Sequence, residues 1–449
     1  MDNIFQRKIY SQIQQWKQDN AGKSALLIEG ARRIGKSTIV EAFAKREYKS
    51  YILIDFNKAS ARIKALFDDL MDLDYIFLYL QSAYRTTLYQ RESVIIFDEV
   101  QQCPKARQAI KYLVQDGRYD YIETGSLISI KRNTESITIP SEEDRLEMFP
   151  MDYEEFRWAL GDTASIPLLR QLLDSNRTMD DEINRRYMRD LRLYMLVGGM
   201  PQAVNEYLQT KNFRAVDAVK RKILKLYFDD FRKIDKTGKI GRLYGAIPQM
   251  LTRGMGRFYP TSVIKGVGAE KMEDLLIALE DSKTVNISYH TTDPQVGLPF
   301  SEDRSKQKIY VADTGLMVTL AFWDKQFTEN TLYDKLLSDK LPANLGYVYE
   351  NLAAQMLRSS GNRLYFYTWA KDDRHNYEVD FLLSRRAKIC PIEVKSSSYK
   401  SHTSLDAFCA KFSSRIDKRY VVYTKALRQD GDTILLPIYM LSLIGSAEN

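Results

Sequence analysis

Short runs of consecutive apolar residues alternate along this chain with longer stretches in which apolar positions recur every three to four residues. Ala25-Leu26-Leu27-Ile28 and Val94-Ile95-Ile96-Phe97 are unbroken apolar runs. Such runs read as strands buried on both faces, as in a parallel sheet. Weaker strand signals sit near Ile52, Tyr121 and Leu146. Between them, Ile4 to Trp16 and Thr38 to Tyr48 have helical spacing. Further on, Asp180 to Leu196, Glu270 to Glu280 and Tyr347 to Leu357 also read as helices. Tyr377 to Leu383 alternates like a half-buried strand, Arg385 to Lys388 makes a turn, and Ile389 to Lys395 returns as a second strand. The pattern predicts a multi-domain α/β chain: a parallel-sheet domain, a helical middle that ends in mixed signals, and a C-terminal α/β domain.

The first apolar run leads into Gly30-Ala31-Arg32-Arg33-Ile34-Gly35-Lys36-Ser37, followed by Thr38 at a helix start. This is the phosphate-binding pattern G-x-x-x-x-G-K-[ST] in its strand–loop–helix context. Gly30 and Gly35 let the backbone turn tightly and approach an anion. Amides of the loop and of the helix N-terminus then point at phosphates. Lys36 is expected against the β- and γ-phosphates of ATP, and the Ser37 hydroxyl on Mg²⁺.

A nucleotide loop needs a metal carboxylate, and Asp98-Glu99 ends the second apolar run, where open α/β sheets bind ligands. Asp98 is expected to hold Mg²⁺ through water, and Glu99 to polarise the attacking water. Tyr119 to Glu123 leads into Thr124-Gly125-Ser126. Thr124 is the candidate for sensing the γ-phosphate or placing the water, with a helix cap as the structural alternative. Arg145 is either a γ-phosphate arginine, acting in its own or a neighbour's site, or a residue that solvates a surface.

A second constellation lies near the C-terminus. Glu393 and Lys395 share one strand face, with Val394 expected in the core, and Asp380 faces them across the hairpin. Two carboxylates and an amine are the parts for metal-assisted phosphodiester hydrolysis: the carboxylates hold Mg²⁺ and Lys395 orients water. The same residues are also the parts of an ordinary cross-strand ion pair.

Gly30–Ser37, Asp98-Glu99, Thr124-Gly125-Ser126, Arg145 to Phe156 and Leu196-Val197-Gly198-Gly199-Met200-Pro201 resemble the prokaryotic AAA+-type P-loop ATPases that carry a C-terminal nuclease-like domain. The resemblance spans nearly the whole chain. Asp380 and Glu393-Val394-Lys395 are similar to the D…ExK set of the restriction-endonuclease-like fold. Glu350 matches the helix position from which that fold supplies another carboxylate. The resemblance implies an ATP-hydrolysing protein that acts on or is bound to DNA in a nucleotide-dependent way. Its alternatives are a nucleotide-gated switch, or a protein-remodelling ATPase with a protein partner, whose nuclease fold binds without cutting. The family carries Gly before the arginine where this chain has Asp144.

Composition narrows the class without naming it. The 449 residues are 44% hydrophobic and 28% charged, ordinary for globular domains. The net charge of +7 permits nucleic-acid contact without demanding it. Cys103, Cys390 and Cys409 show no metal-site spacing and no disulfide framework, which points to a reducing, cytoplasmic setting. No apolar run has the length of a membrane span. The expected domains are residues 1–155 for the ATPase, 156–235 for a helical region, 236–305 for a winged-helix-like unit and 306–449 for the nuclease-like domain. Pro294 to Gln307 reads as a polar connector, and Asp313 as a helix cap. Basic and aromatic residues from Arg363 to Arg419, Lys400 among them, cluster around the second constellation. The oligomeric state stays open.

Overall fold

A computed structural model describes residues 4–125, 141–252, 258–324, 333, 337–338, 346–396 and 401–445. Ser126 and Lys400 lie outside the described residues. The chain divides into two compact units: residues 1–149 with 281–283, and residues 150–280 with 284–449.

The apolar runs of the first unit become a five-stranded sheet: β1 (Ala25–Glu29), β2 (Ser50–Asp55), β3 (Ser93–Asp98), β4 (Asp120–Gly125) and β5 (Glu143–Glu147). The order is β2-β3-β4-β1-β5, and every neighbouring pair is parallel. Each strand coincides with one of the five sequence signals. β3 is buried along its whole length, as parallel sheets covered by helices require. The helices are α1 (Ile9–Asn20), α2 (Lys36–Glu47), α3 (Ala61–Ala65), α4 (Leu73–Tyr84) and α5 (Pro104–Asp116). Ile52, Ile54, Ile95 and Phe97 of the sheet pack with Phe77, Ile110 and Leu113 in one core. This strand order makes β1, β4 and β3 neighbours, so their C-terminal ends open side by side onto one crevice.

The second unit begins with helices. Asp152 caps Tyr153–Ala159 in a reciprocal capping box with Glu155. Asp180 caps Asp181–Val197, Gly198 ends it at φ 83°, and Pro201 opens the helix Pro201–Thr210. The Gly198-Gly199 break is a packing device. A Cβ on Gly198 would lie 2.4 Å from Asp313 Oδ1, and one on Gly199 would lie 2.0 Å from the Met151 carbonyl oxygen. Asp313 caps the helix Thr314–Ala321 by accepting from Leu316 N, and its other oxygen accepts from Gly199 N at 2.5 Å.

An eight-stranded mixed sheet completes the unit: β6 (Val285–Thr291), β7 (Glu302–Val311), β8 (Leu364–Ala370), β9 (Asn376–Arg385), β10 (Lys388–Val394), β11 (Arg419–Tyr423), β12 (Arg428–Asp430) and β13 (Thr433–Pro437). Its order is β12-β13-β11-β10-β9-β8-β6-β7. Two expectations change here. The strand at Val285–Tyr289 does not close a separate winged-helix-like unit: β6 pairs parallel with β8, so the β6–β7 hairpin extends the C-terminal sheet. The expected connector from Pro294 to Gln307 contributes the first half of β7, because a solvated sheet edge tolerates the polar residues that made it look like a loop. Among the described residues no helix is long and apolar enough to cross a membrane. The three cysteines are free and buried.

Candidate functional site: the crevice at β1, β3 and β4

Gly35 sits at φ 95° and Arg33 at φ 69°, which together turn the chain from β1 into α2. Gly30 leaves no room for a side chain, since a Cβ there would meet the Met148 carbonyl oxygen at 2.3 Å. Ala31 and Ile34 are buried beneath the loop, Arg32 is partly buried, and Arg33 and Thr38 are exposed. The first turn of α2 carries no acidic residue, so nothing on it opposes an anion at the amides.

Lys36 Nζ donates to the carbonyls of Gly30 at 3.0 Å and Ala31 at 2.9 Å. Burial lowers the Lys36 pKa to about 8, although Glu99 and Asp98 pull it upward. Ser37 Oγ donates to Asp98 Oδ1 at 2.6 Å. Thr124 Oγ1 donates to the same Asp98 oxygen and accepts from the Glu99 backbone N–H at 3.4 Å. Glu99 has a left-handed backbone at φ 55°, and Gln101 Nε2 holds its carboxylate at 2.6 Å. Five of the expected residues, Lys36, Ser37, Asp98, Glu99 and Thr124, therefore converge from three strand ends. A hydroxyl and a carboxylate oxygen this close are hard oxygen donors that suit Mg²⁺.

Arg145 stands apart from this group. It lies on the edge strand β5, half exposed, with Nε 2.9 Å from Glu143 Oε1. Glu143 also receives both contacts of the fully buried Arg107, at 2.9 and 3.0 Å. Arg145 thus belongs to an ion-pair network at the sheet edge. Arg7 was missed from the sequence. It is buried and donates to the carbonyls of Ile34 at 2.8 Å and Phe149 at 2.6 Å, clamping the loop from behind. A lone Arg in the lead-in segment carries no pattern that marks such a role.

The C-terminal constellation also assembles, in an unexpected form. Glu350 comes from the helix Gly346–Ser359, and Asp380 from β9 accepts from Val394 N at 2.8 Å. Between them stands Lys308 of β7, buried, with Nζ 2.9 Å from Glu350, 2.5 Å from Glu378 and 3.7 Å from Asp380. Tyr310, two residues along the same strand, donates to Glu350 at 2.7 Å. Burial works against the Lys308 charge, but its carboxylate neighbours raise its pKa well above the ordinary value. Glu350 is lowered despite its burial, because Lys308 favours its anion. Asp380 is pushed up to about 8, by burial first and by the Glu350 charge second. Glu393 is paired with Lys395 at 2.6 Å. It is buried, while Val394 is only partly so, the reverse of the expected facing.

The residues expected to hold a C-terminal metal, Glu350, Asp380 and Glu393, do not fit one. Among the described residues no group of three or more His, Cys, Asp or Glu side chains can hold a metal ion. The ammonium of Lys308 lies where a divalent cation would have to bind. Lys308, Tyr310 and Glu378 were not marked as site residues. Their period-two spacing, Lys308 with Tyr310 and Glu378 with Asp380, was the available signal.

Residues 22–157 match the family model described as an AAA domain. Residues 188–326 and 345–441 match two models described as domains of unknown function (DUF8612 and DUF4143). A comparison with curated proteins found no match. Among solved structures, the chain is similar to a Walker-type ATPase of Pyrococcus abyssi, at 17% identity over 71% of this chain and 96% of that one, with a TM-score of 0.43. It is also similar to the Thermotoga maritima RuvB Holliday junction branch migration motor, at 13% identity over 61% and 87%, with a TM-score of 0.27. Cdc6p of Pyrobaculum aerophilum shares 12% identity over 76% and 97%, with a TM-score of 0.26. Over residues 22–157 the chain is thus similar to the AAA class of P-loop ATPase domains.

Proposed function

We propose that this chain binds ATP with Mg²⁺ at the Gly30–Ser37 loop and hydrolyses it, and that its C-terminal α/β module is a nuclease-like fold that engages DNA without cutting it. The observation that carries the first part is the convergence of Ser37 and Thr124 on one oxygen of Asp98. Ser37 and Asp98 would hold Mg²⁺, which supplies charge neutralisation at the phosphates when bound. The loop amides and Lys36 bind and orient the triphosphate. Glu99, fixed by Gln101, orients a water and takes its proton as it attacks. Thr124, between Asp98 and the Glu99 amide, ties the Asp98 carboxylate to the Glu99 backbone.

Support for the second part comes from the order helix Gly346–Ser359, β8, β9, β10, helix Thr403–Lys411, β11, with β9 antiparallel to β10 and β11 parallel to it. That is the framework on which a D…ExK set would stand. Lys308 among its carboxylates favours binding over cleavage. Glycan, protein and nucleic-acid chemistries recur on shared folds, so the site and not the framework decides.

The test is ATP turnover with and without duplex DNA, beside a cleavage assay in Mg²⁺ and in Mn²⁺. The expected result is Mg²⁺-dependent turnover, lost in Lys36→Ala with the fold retained, and intact DNA throughout. Cutting that disappears in Glu393→Ala would overturn the non-cutting assignment. Normal ATP affinity in Lys36→Ala would overturn the nucleotide site.

A further inference from the structure

The helix Asp181–Val197 sets Arg185, Arg189 and Arg192 at i, i+4 and i+7, the spacing of a single helix face. These three side chains and Lys425 line a cavity of about 440 Å³ inside the second unit. Leu337 and Ser338 complete the lining, and among the described residues no carboxylate lines it. The acidic residues of this helix are placed elsewhere: Asp181 and Glu182 are in its first turn, and Asp190 pairs with Arg157. Arg185, Arg189 and Lys425 are exposed and, among the described residues, take part in no ion pair.

The wall that carries the arginines is fixed. Asn184 Nδ2 donates to the Thr424 carbonyl at 3.2 Å, and its Oδ1 accepts from Tyr439 OH at 2.9 Å. Tyr187 stacks on Tyr439 with ring centroids 5.2 Å apart. The helix is thereby locked to the end of β11, and the cations project from a rigid element. Arg192 Nε contacts Tyr349 OH at 3.3 Å, which steadies the third cation.

We infer that this cavity grips the phosphodiester backbone of a nucleic acid. Like-charged side chains at i, i+4 repel and destabilise a helix unless an anion joins them. The three arginines run about 10 Å along the helix axis, a track suited to successive phosphates of one strand. Guanidinium groups match phosphate oxygens in bidentate geometry. Among the described residues no aromatic ring lines the cavity, so they offer bases nothing to stack on. The contact therefore positions the strand without reading its sequence. The inference rests on the DNA-engaging part of the proposed function and gives that contact a place.

The experiment is fluorescence anisotropy of a labelled duplex oligonucleotide with the full chain, across a salt series, for the wild type and Arg185→Gln/Arg189→Gln. Both side chains are exposed, so the variant should melt at the wild-type temperature. The expected result is binding weakened at least about tenfold, with the slope of log affinity against log salt reduced by about 2. Equal affinity and slope in the variant would overturn the cavity assignment and leave DNA binding standing. A wild type that binds no duplex would overturn the cavity together with the DNA-engaging reading, while ATP turnover reports separately on the loop. Loss of inorganic tripolyphosphate binding in the variant with duplex binding unchanged would make the cavity a small-anion site and overturn the assignment as well.

Discussion

Ser37 Oγ and Asp98 Oδ1 lie 2.6 Å apart although 61 residues separate them in the chain. One is the second residue of α2, just past the loop after β1, and the other the last residue of β3, with β4 between the two strands. Thr124 at the end of β4 bridges the gap by bonding the same oxygen. Neither side chain has another reason to be there: the hydroxyl and the carboxylate satisfy each other where a helix N-terminus and a sheet end meet. Removing either should therefore disturb one shared function. Asp98→Asn and Ser37→Ala are each expected to lower Mg²⁺-dependent ATP turnover on the order of 10²-fold. The double variant should fall little further, because both act on one ion. Steady-state turnover across Mg²⁺ concentrations checks this, and additive losses would show that the two act separately.

Glu99 offers a cleaner separation of binding from chemistry. Its side chain is held by Gln101 and its backbone amide by Thr124, so the carboxylate position does not depend on the loop. Glu99→Gln keeps the size and the hydrogen-bonding capacity but not the basicity. ATP binding should stay within a few-fold of wild type while turnover drops roughly 10²- to 10⁴-fold, the range of a lost general base. Measuring nucleotide affinity and turnover on the same preparation settles it. A variant that hydrolyses ATP at the wild-type rate would remove Glu99 from the chemistry.

The first unit was legible because its signals are local and strong. Two apolar runs and three weaker signals gave five strands, and the glycine-rich loop carried its own ligand chemistry. The C-terminal sheet was legible at β6 and, where alternation was clean, at β9 and β10. The first half of β7 was missed because it is polar, as an edge strand tolerates. Lys308 and Arg7 escaped for a different reason: each acts through partners 27 to 142 residues away. Single-residue long-range pairing leaves no periodic trace. Gly198-Gly199 was visible as a helix break, but its cause, Asp313 bonding the Gly199 amide, is a tertiary contact.

Lys308 supplies the test of the C-terminal cluster. Its ammonium compensates Glu350 and Glu378, and replacing it with a neutral side chain strands buried carboxylates. Lys308→Met should cost stability at pH 7 toward the lower end of the roughly 3–5 kcal/mol typical of breaking a buried pair, since the carboxylates keep some solvent access. The carboxylates should then accept a divalent cation in place of the lysine. Thermal melts with and without Mn²⁺ should show stabilisation of the variant and none of the wild type. A wild type stabilised by Mn²⁺ to the same degree would mean that Lys308 does not occupy a cation position.

Lys220 gives the second unit a pH dependence of known sign. Its Nζ is buried and donates to the carbonyls of Leu196 at 2.6 Å and Gly315 at 3.2 Å, and to Tyr333 OH at 3.1 Å. Burial lowers its pKa to about 8, against the upward pull of Asp217 and Asp313. An unfolded lysine titrates near 10.4. Below pH 8 both states carry the proton, and the full cost of burying the ammonium is present. Between about 8 and 10.4 the folded state releases its proton first, so the unfolded state binds more protons and stability from this group rises with pH. Lys220→Met has no proton to release and should lack that component. The stability difference between wild type and variant, followed by denaturant melts from pH 7 to pH 10, should therefore move in favour of the wild type as pH rises. A constant difference across that window would mean that Lys220 keeps an ordinary pKa, and that its three hydrogen bonds offset the loss of water around the charge.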